Sequence, residues 1–175
     1  RGFCKHHYQR MLTAGNRLGL ALMLESHGAH IEKEYLTGGS LFDGKGERES
    51  EKLARLEDDC YVCHRTNEKL EKMIDTAVWL WESDEAFRNK TAKQTCFCLP
   101  HYQAFLKEAR AKLGKKDFPS FYKTISGIEK NYIHTLGEDV SWFCKKFDYR
   151  YDEEPWGNSK DAVERAIRFL SSEDQ

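Results

Sequence analysis

The stretch FCKHHYQRML at residues 3–12 returns later in the chain as FCLPHYQAFL at residues 97–106. Six of the ten positions are identical, and they include one cysteine and one histidine in a Cys-x2-His spacing. Cysteine thiolates and histidine imidazoles are the ligands that zinc prefers in structural sites. The repeated pattern therefore indicates a pseudo-repeated, knuckle-type metal-binding motif.

A Cys-x2-Cys pair, Cys60 and Cys63, precedes the second copy. With Cys98 and His101 it gives Cys-x2-Cys…Cys-x2-His, and we predict that these four side chains bind one zinc ion. A site with four protein ligands leaves no position for a water molecule, so the predicted zinc is structural rather than catalytic. Iron and redox-active thiols are the alternatives for the same residues.

Cys4 and His7 occupy the matching positions of the first copy, so we predict that His7, rather than the adjacent His6, binds metal. These two residues make half of a second site. The chain opens at Arg1 without Met, and by the spacing of the second copy we expect the missing Cys-x2-Cys pair upstream of it. The other candidates are no further ligand at all, or a ligand drawn from Cys96, Cys144, His27 and His30.

Cys60 and Cys63 also fit two motifs that do not bind zinc. The residues CYVCH at 60–64 fit the C-x-x-C-H signal for c-type haem, which requires export and a Cys pair without another use. A thioredoxin-like C-x-x-C normally lies beside a βαβ pattern, and the sequence contains no convincing strand. We therefore favour zinc binding over haem attachment and over thioredoxin-like redox chemistry.

Composition limits the classes of protein. The 175 residues are enough for an ordinary domain to bury a core. Six cysteines are few for a disulfide scaffold, and four of them lie in ligand spacings, so we expect a reducing, cytoplasmic location. With 28 Lys and Arg against 29 Asp and Glu, charge gives no argument for nucleic acid or an anionic membrane. No apolar run reaches the roughly 18 residues that span a bilayer.

Apolar residues recur at three- and four-residue steps along most of the chain, which predicts an all-α fold. In the first predicted helix, over residues 6–26, Gly15 and Gly19 share a face and imply close approach of another helix. The other predicted helices are a charged one at 47–59, an amphipathic one at 67–81, a short one at 84–93, one that starts at Pro100 and carries His101, a long one at 121–147, and a last one that carries Val163, Ile167 and Leu170 and is capped by Asn158 or Ser159.

We predict one helical domain at 1–175. Its segments are the second half of a first Cys/His repeat at 1–37, a linker and charged helix at 38–58, a second Cys/His repeat at 59–114, and a long helix with a C-terminal helix at 115–175. Within the linker, GGSLFDGKG at residues 38–46 is typical of a loop.

The whole chain resembles an uncharacterised bacterial family that is classed only as a domain of unknown function. The matching pieces lie at residues 2–12, 16–22, 60–63, 97–101, 146–150 and 154–162. The resemblance implies a further CPxC segment upstream of Arg1, and it implies no known activity, cofactor or substrate. The chain departs from the family at Thr95 and Cys96, where a glycine is usual, and this leaves the role of Cys96 open.

The predicted function is that of a non-enzymatic zinc protein whose partner is another protein or a second copy of itself, without nucleic acid or membrane. The alternative is a thiol-redox protein or metal-thiolate sensor that uses Cys60, Cys63 and Cys96. A third hypothesis is an enzyme with a pocket around the tail WGNSKD at residues 156–161.

Overall fold

Helices make up nearly all of the regular structure. The computed structural model describes residues 1–36 and 45–172. Within these ranges the helices are α1 (Lys5–Thr13), α2 (Arg17–Glu34), α3 (Lys45–Asp58), α4 (Tyr61–Ser83), α5 (Glu85–Ala92), α6 (Leu99–Lys112), α7 (Phe118–Lys145) and α8 (Ala162–Ser171). Two 3₁₀ turns, Tyr149–Tyr151 and Gly157–Ser159, precede α8. The predicted all-α fold class is confirmed.

The chain divides into two compact units. The first runs from Arg1 to Leu70 and the second begins at Glu71, so the boundary falls inside α4. The single domain and its four segments stay a prediction.

In the first unit, the single helix predicted over residues 6–26 is instead two helices, α1 and α2. α1 ends at Thr13, and Gly15 has a φ of +87°, which lies outside the helical region. The side chain of Asn16 then accepts a hydrogen bond from Gly19 N at 2.9 Å and caps α2. Gly19 therefore packs against a cap, not against a neighbouring helix, and the Gly-Asn pair was the stop-and-start signal in the sequence.

Most of the apolar residues in the first half of α2 lie on the surface. Leu20 is the buried residue of this helix, whereas Leu18 is 73% exposed and Leu22 is 55% exposed. A helix with apolar residues around its whole circumference is typically buried. The exposure of these leucine side chains on α2 is therefore unusual.

Contacts at the N-terminus carry Cys4 to the start of α4. Gly2 forms an isolated parallel β-bridge with Cys60, and Tyr61 N donates to Gly2 O at 2.9 Å. Arg1 forms an ion pair with Asp59 at 3.0 Å. A Cβ on Gly2 would lie 2.6 Å from Nε2 of His27, so a larger residue at this position would displace the His27 ring.

The second unit is built around α7, which packs against α5, α6 and α8. Trp81 of α4 meets Phe121 of α7 edge to face at 5.2 Å. The buried apolar residues of this unit are Ile74, Val78, Trp81, Ala109, Leu113, Phe121, Ile125, Leu136, Ala162 and Phe169. The predicted long helix is confirmed, with ends at Phe118 and Lys145.

The last helix differs from its prediction in two respects. Its N-cap is Asp161, because Asn158 and Ser159 lie in a 3₁₀ turn where the Ser159 hydroxyl donates to Trp156 O at 2.7 Å. Its buried residues are Ala162 and Phe169, whereas the predicted apolar stripe is exposed. The stripe consists of Val163, Ile167 and Leu170.

A buried lysine organises the segment after α7. Lys146 is 6% exposed, and its Nζ donates to the carbonyls of Tyr151, Asp152 and Glu154 at 2.5, 2.8 and 2.7 Å. The same Nζ lies 5.4 Å from the centre of the Trp156 ring. Three carbonyls and an aromatic face satisfy the ammonium group, which explains how a charge is accommodated there.

The predicted charged helix is confirmed as α3, which begins at Lys45. Residues 38–44 of the predicted loop lie outside the described residues. Among the helices described, there is none with the length and apolar character that a bilayer crossing requires.

Candidate metal centre

Four side chains of the first unit converge at the junction of the N-terminal segment and α4. Cys4 is the N-cap of α1 and His7 lies in the first turn of that helix, while Cys60 directly precedes α4 and Cys63 lies in its first turn. One ligand atom from each of the four lies within 4.8 Å of the other three. The site therefore joins two helix N-termini that are more than fifty residues apart in sequence.

The spacing of these atoms suits a tetrahedral ion. Nδ1 of His7 lies 3.2 Å from the sulfur of Cys4 and 3.5 Å from the sulfurs of Cys60 and Cys63. The sulfurs of Cys4 and Cys63 are 3.9 Å apart. Tetrahedral zinc with Zn–S bonds of about 2.3 Å and Zn–N bonds of about 2.0 Å separates sulfur from nitrogen by about 3.5 Å and sulfur from sulfur by about 3.8 Å. The measured distances fit those values.

Aromatic rings pack beside the cluster. Phe3 meets Tyr8 edge to face at 5.5 Å and Tyr61 at 6.3 Å, which fixes the residue before Cys4. Cys60 is 3% exposed, and the other three side chains are partly buried. Phe3 therefore links α1 to α4 beside the four donors.

The thiols of Cys60 and Cys63 differ in pKa. Burial raises the pKa of Cys60, but hydrogen bonds from the backbone and thiols of Cys63 and Cys4 outweigh it and lower that pKa to about 6. For Cys63, burial and the neighbouring thiols of Cys60 and Cys4 raise the pKa to about 11. Because thiolates repel one another, the cluster retains a proton that a divalent cation would displace.

This grouping corrects the one expected from the sequence, which put Cys60 and Cys63 with Cys98 and His101. The structure places the Cys-x2-Cys pair with Cys4 and His7 instead. The physical reason is the Gly2–Cys60 bridge, a backbone contact that sequence periodicity does not indicate. The predicted half-site at Cys4 is therefore completed from within the chain.

The other predicted ligands lie outside the Cys4 cluster. Cys98 and His101 begin α6 in the second unit, with Sγ and Nδ1 2.9 Å apart. His27 packs on Gly2, and the ring of His30 lies 5.8 Å from that of Tyr35. Neither histidine belongs to the Cys4 cluster.

The thiol of Cys96 differs from the low-pKa thiols of redox sites. Burial raises its pKa, with a further contribution from the charge of Glu129, while Tyr132 donates a hydrogen bond that acts in the opposite direction. A thiol that stays protonated is a poor nucleophile. Cys144 is exposed.

Glu129 is a buried residue that the sequence analysis missed. It is 6% exposed, and its Oε1 accepts a hydrogen bond from Phe97 N at 2.7 Å, directly before Cys98. Its Oε2 is buried without a hydrogen-bond partner among the described residues. Burial raises the pKa of this carboxyl above its usual value. Its position four residues after Ile125, on the buried face of α7, was the available signal.

The tail at residues 156–161 borders an open cleft of about 630 Å³ on the second unit. Arg165 contacts Asp139 and Asp161 at 2.9 Å each and Asn158 O at 2.5 Å. The Asp139 carboxylate raises the pKa of this guanidinium, with burial opposing and Asp161 adding to the effect. These contacts hold Asn158 and Asp161 of the tail close to α7.

The fold and the site together define an all-α protein with a Cys₃His cluster of metal-binding geometry. The chain belongs to the family described as "Family of unknown function (DUF6062)", which it matches over residues 1–175. No match was found among curated proteins or among solved structures.

Proposed function

We propose that this protein is a non-enzymatic protein-interaction module whose first unit is held together by one structural zinc ion. The observation that carries the proposal is the cluster of Cys4, His7, Cys60 and Cys63 at tetrahedral spacing. Three thiolates and one imidazole match the ligand sets of structural zinc sites. Four protein ligands also fill the coordination sphere, which leaves no position for a hydrolytic water.

Zinc at this site would join the N-terminal segment and α1 to the start of α4. Among the described residues, few of those in the first unit are buried, since Gly2, Leu20 and Cys60 are the fully buried ones. A unit with so small a core gains much from a metal ligand set. Structural zinc supplies roughly 10–16 kcal/mol of binding free energy to the assembled site in small zinc domains.

Substitution of a ligand tests the zinc proposal. Cys63→Ser should abolish stoichiometric zinc binding and lower the melting temperature of the first unit, whereas the matched control Cys144→Ser should do neither, because Cys144 is exposed and lies in the second unit. Elemental analysis and thermal unfolding provide the measurements. A Cys63→Ser protein that keeps its zinc and its stability would contradict the proposal.

The interaction surface is proposed to be α2. Leu18 and Leu22 lie one helical turn apart on the same face and are 73 and 55% exposed, and exposed apolar surfaces commonly bind protein. The partner is another protein or a second copy of the chain, and the second copy is the case that purified protein tests. Leu18→Glu combined with Leu22→Glu should shift sedimentation from dimer to monomer, whereas Glu34→Lys, on the opposite side of the same helix, should not. Wild-type protein that is monomeric at all concentrations would contradict self-association.

A thiol-redox sensor is the second candidate, and the low pKa of Cys60 favours it. Burial raises the pKa of Cys60, but hydrogen bonds from Cys63 and Cys4 outweigh it and favour the thiolate. Hydrogen peroxide would oxidise the two thiols to one disulfide, release zinc and be reduced to two waters. An intact mass lower by two hydrogens, with zinc released in parallel, would support this role. An unchanged mass after peroxide treatment would refute it.

A further inference from the structure

Cys98 and His101 begin α6 in the same way that Cys4 and His7 begin α1. Both cysteines are N-caps with extended backbone, at φ −71° and ψ 164° for Cys4 and φ −68° and ψ 153° for Cys98. Neither sulfur caps its own helix. In both copies the cysteine carbonyl accepts the first helical hydrogen bond, at 3.0 and 2.9 Å. The sequence repeat is thus also a repeat of local structure.

The side chains repeat as well. Sγ and Nδ1 are 3.2 Å apart in the first pair and 2.9 Å apart in the second, and all four side chains are partly buried. In each copy the preceding phenylalanine packs edge to face on a ring of the following helix, Phe3 on Tyr8 and Phe97 on Phe105. The same two donor atoms therefore lie close together at the same position of each helix.

The side chain of Glu129 contacts the backbone next to the second pair. Glu129 accepts from Phe97 N at 2.7 Å, which fixes the backbone directly before Cys98. The pair is consequently positioned by protein contacts rather than by a metal, as a binding site requires.

The second pair lacks the remaining ligands of a tetrahedral site. All six cysteines and seven histidines of the chain lie within the described ranges, and there the Cys4 cluster is the one group of three or more metal-binding side chains. Cys60 and Cys63 serve that cluster. A tetrahedral zinc ion bound to Cys98 and His101 would need two more donors from elsewhere.

We propose that Cys98 and His101 are half of a second zinc site, completed by a Cys/His ligand pair of another polypeptide segment. Two sources supply this chemistry. The first is the same pair of a second copy, which gives a two-fold symmetric Cys₂His₂ site. The second is a Cys-x2-Cys segment, which reproduces the Cys₃His set of the first site. The inference rests on the proposed function in one respect, because the first zinc site supplies the example for the ligand set of the second.

Cobalt titration of the whole chain tests the second-copy source, because the absorption of bound Co²⁺ reports thiolate ligation. At high protein concentration, wild-type protein should bind one equivalent and then a further half equivalent, and the second step should coincide with dimer formation in sedimentation. Cys98→Ser should lose this second step, and His101→Cys, which keeps a ligand, should retain it. The adjacent thiol provides the matched control, and Cys96→Ser should titrate like wild type.

The other source is tested by adding the synthetic peptide DCYVCHR, which contains the Cys-x2-Cys of residues 59–65. The peptide should raise Co²⁺ binding to wild type from one to two equivalents without dimer formation, and it should not do so with Cys98→Ser. A second step in either experiment that depends on Cys98 supports the proposal. Titrations of wild type and Cys98→Ser that coincide in both experiments overturn it.

The same titrations also show, independently of Cys98, whether the first site binds metal. Loss of the first equivalent, with the Cys98-dependent step retained, would contradict the proposed function while leaving the second half-site intact. Retention of the first equivalent also shows that each variant is folded around the Cys4 cluster.

Discussion

His7 and His6 are adjacent in sequence but differ in what their rings face. Nδ1 of His7 lies within 3.5 Å of three sulfur atoms, whereas the side chain of His6 is exposed. Coordination through Nδ1 leaves Nε2 of His7 free for an outer-shell hydrogen bond. The ligand assignment thus agrees with the Cys-x2-His spacing, because His7 lies three residues after Cys4 whereas His6 lies two residues after it.

Replacement of the two histidines tests this assignment. His7→Ala should weaken zinc binding by more than about 100-fold, because loss of even an outer-shell partner weakens metal sites by about 10- to 100-fold. His6→Ala should leave the affinity within about twofold of wild type. Competition with a chromophoric chelator measures both, and equal losses in the two variants would contradict the assignment of His7.

Glu129 makes a second prediction at the scale of a residue. Its pKa is raised in the folded state, so the folded protein holds a proton that the unfolded chain releases, and stability falls as pH rises through the interval between the usual value of 4.5 and the raised value. Glu129→Gln removes this dependence and keeps an oxygen for Phe97 N.

The difference in unfolding free energy between Glu129→Gln and wild type, measured from pH 4 to 8, should therefore grow in favour of the variant as pH rises toward the raised pKa and then level off. Urea titrations in zinc-saturated buffer measure it. A difference that is constant over this range, or that shrinks with pH, would show that the carboxyl is not desolvated in the folded protein.

At the scale of elements, the sequence predicted helices well and their ends less well. Three- and four-residue steps of apolar side chains gave α4 and α7, because burial of one face dominates long amphipathic helices. The break after α1 depends on a single backbone dihedral, that of Gly15. The stripe at Val163 was misassigned because periodicity gives a face but not the side on which the core lies.

The two glycines inside α7 make a prediction about helix stability. A Cβ on Gly127 or Gly137 would meet no atom within 4 Å, so Gly127→Ala and Gly137→Ala should each raise the unfolding free energy by about 0.5–1 kcal/mol. Gly15 provides the opposite control, because at its φ of +87° alanine should cost about 1–2 kcal/mol. Chemical denaturation checks all three, and a loss of stability in either α7 variant would contradict the open space at these positions.

At the scale of the whole molecule, the sequence predicted the ligand types but not their grouping. The Cys-x2-Cys and Cys-x2-His spacings identify local donor pairs, since each pair lies at one helix N-terminus. Which pair meets which is decided by contacts far apart in sequence, such as the bridge between Gly2 and Cys60 and the ion pair between Arg1 and Asp59. Periodicity carries no information about contacts of that kind.

The division into two units predicts that metal removal acts on one of them. A chelator should raise amide hydrogen exchange in α1 and the first turns of α4 by at least about 100-fold, because zinc contributes several kcal/mol to the assembled site. The central part of α7 lies in the second unit and serves as the internal control. Exchange that rises equally in both units, or in neither, would contradict a structural zinc confined to the first.

We infer that Cys4, His7, Cys60 and Cys63 bind one zinc ion. X-ray absorption at the zinc edge, on Cys98→Ser protein so that the second half-site does not contribute, tests it most directly. We expect one zinc per chain with three sulfur ligands at about 2.3 Å and one nitrogen at about 2.0 Å. Protein that holds no zinc, or zinc bound mainly by oxygen and nitrogen, would contradict it.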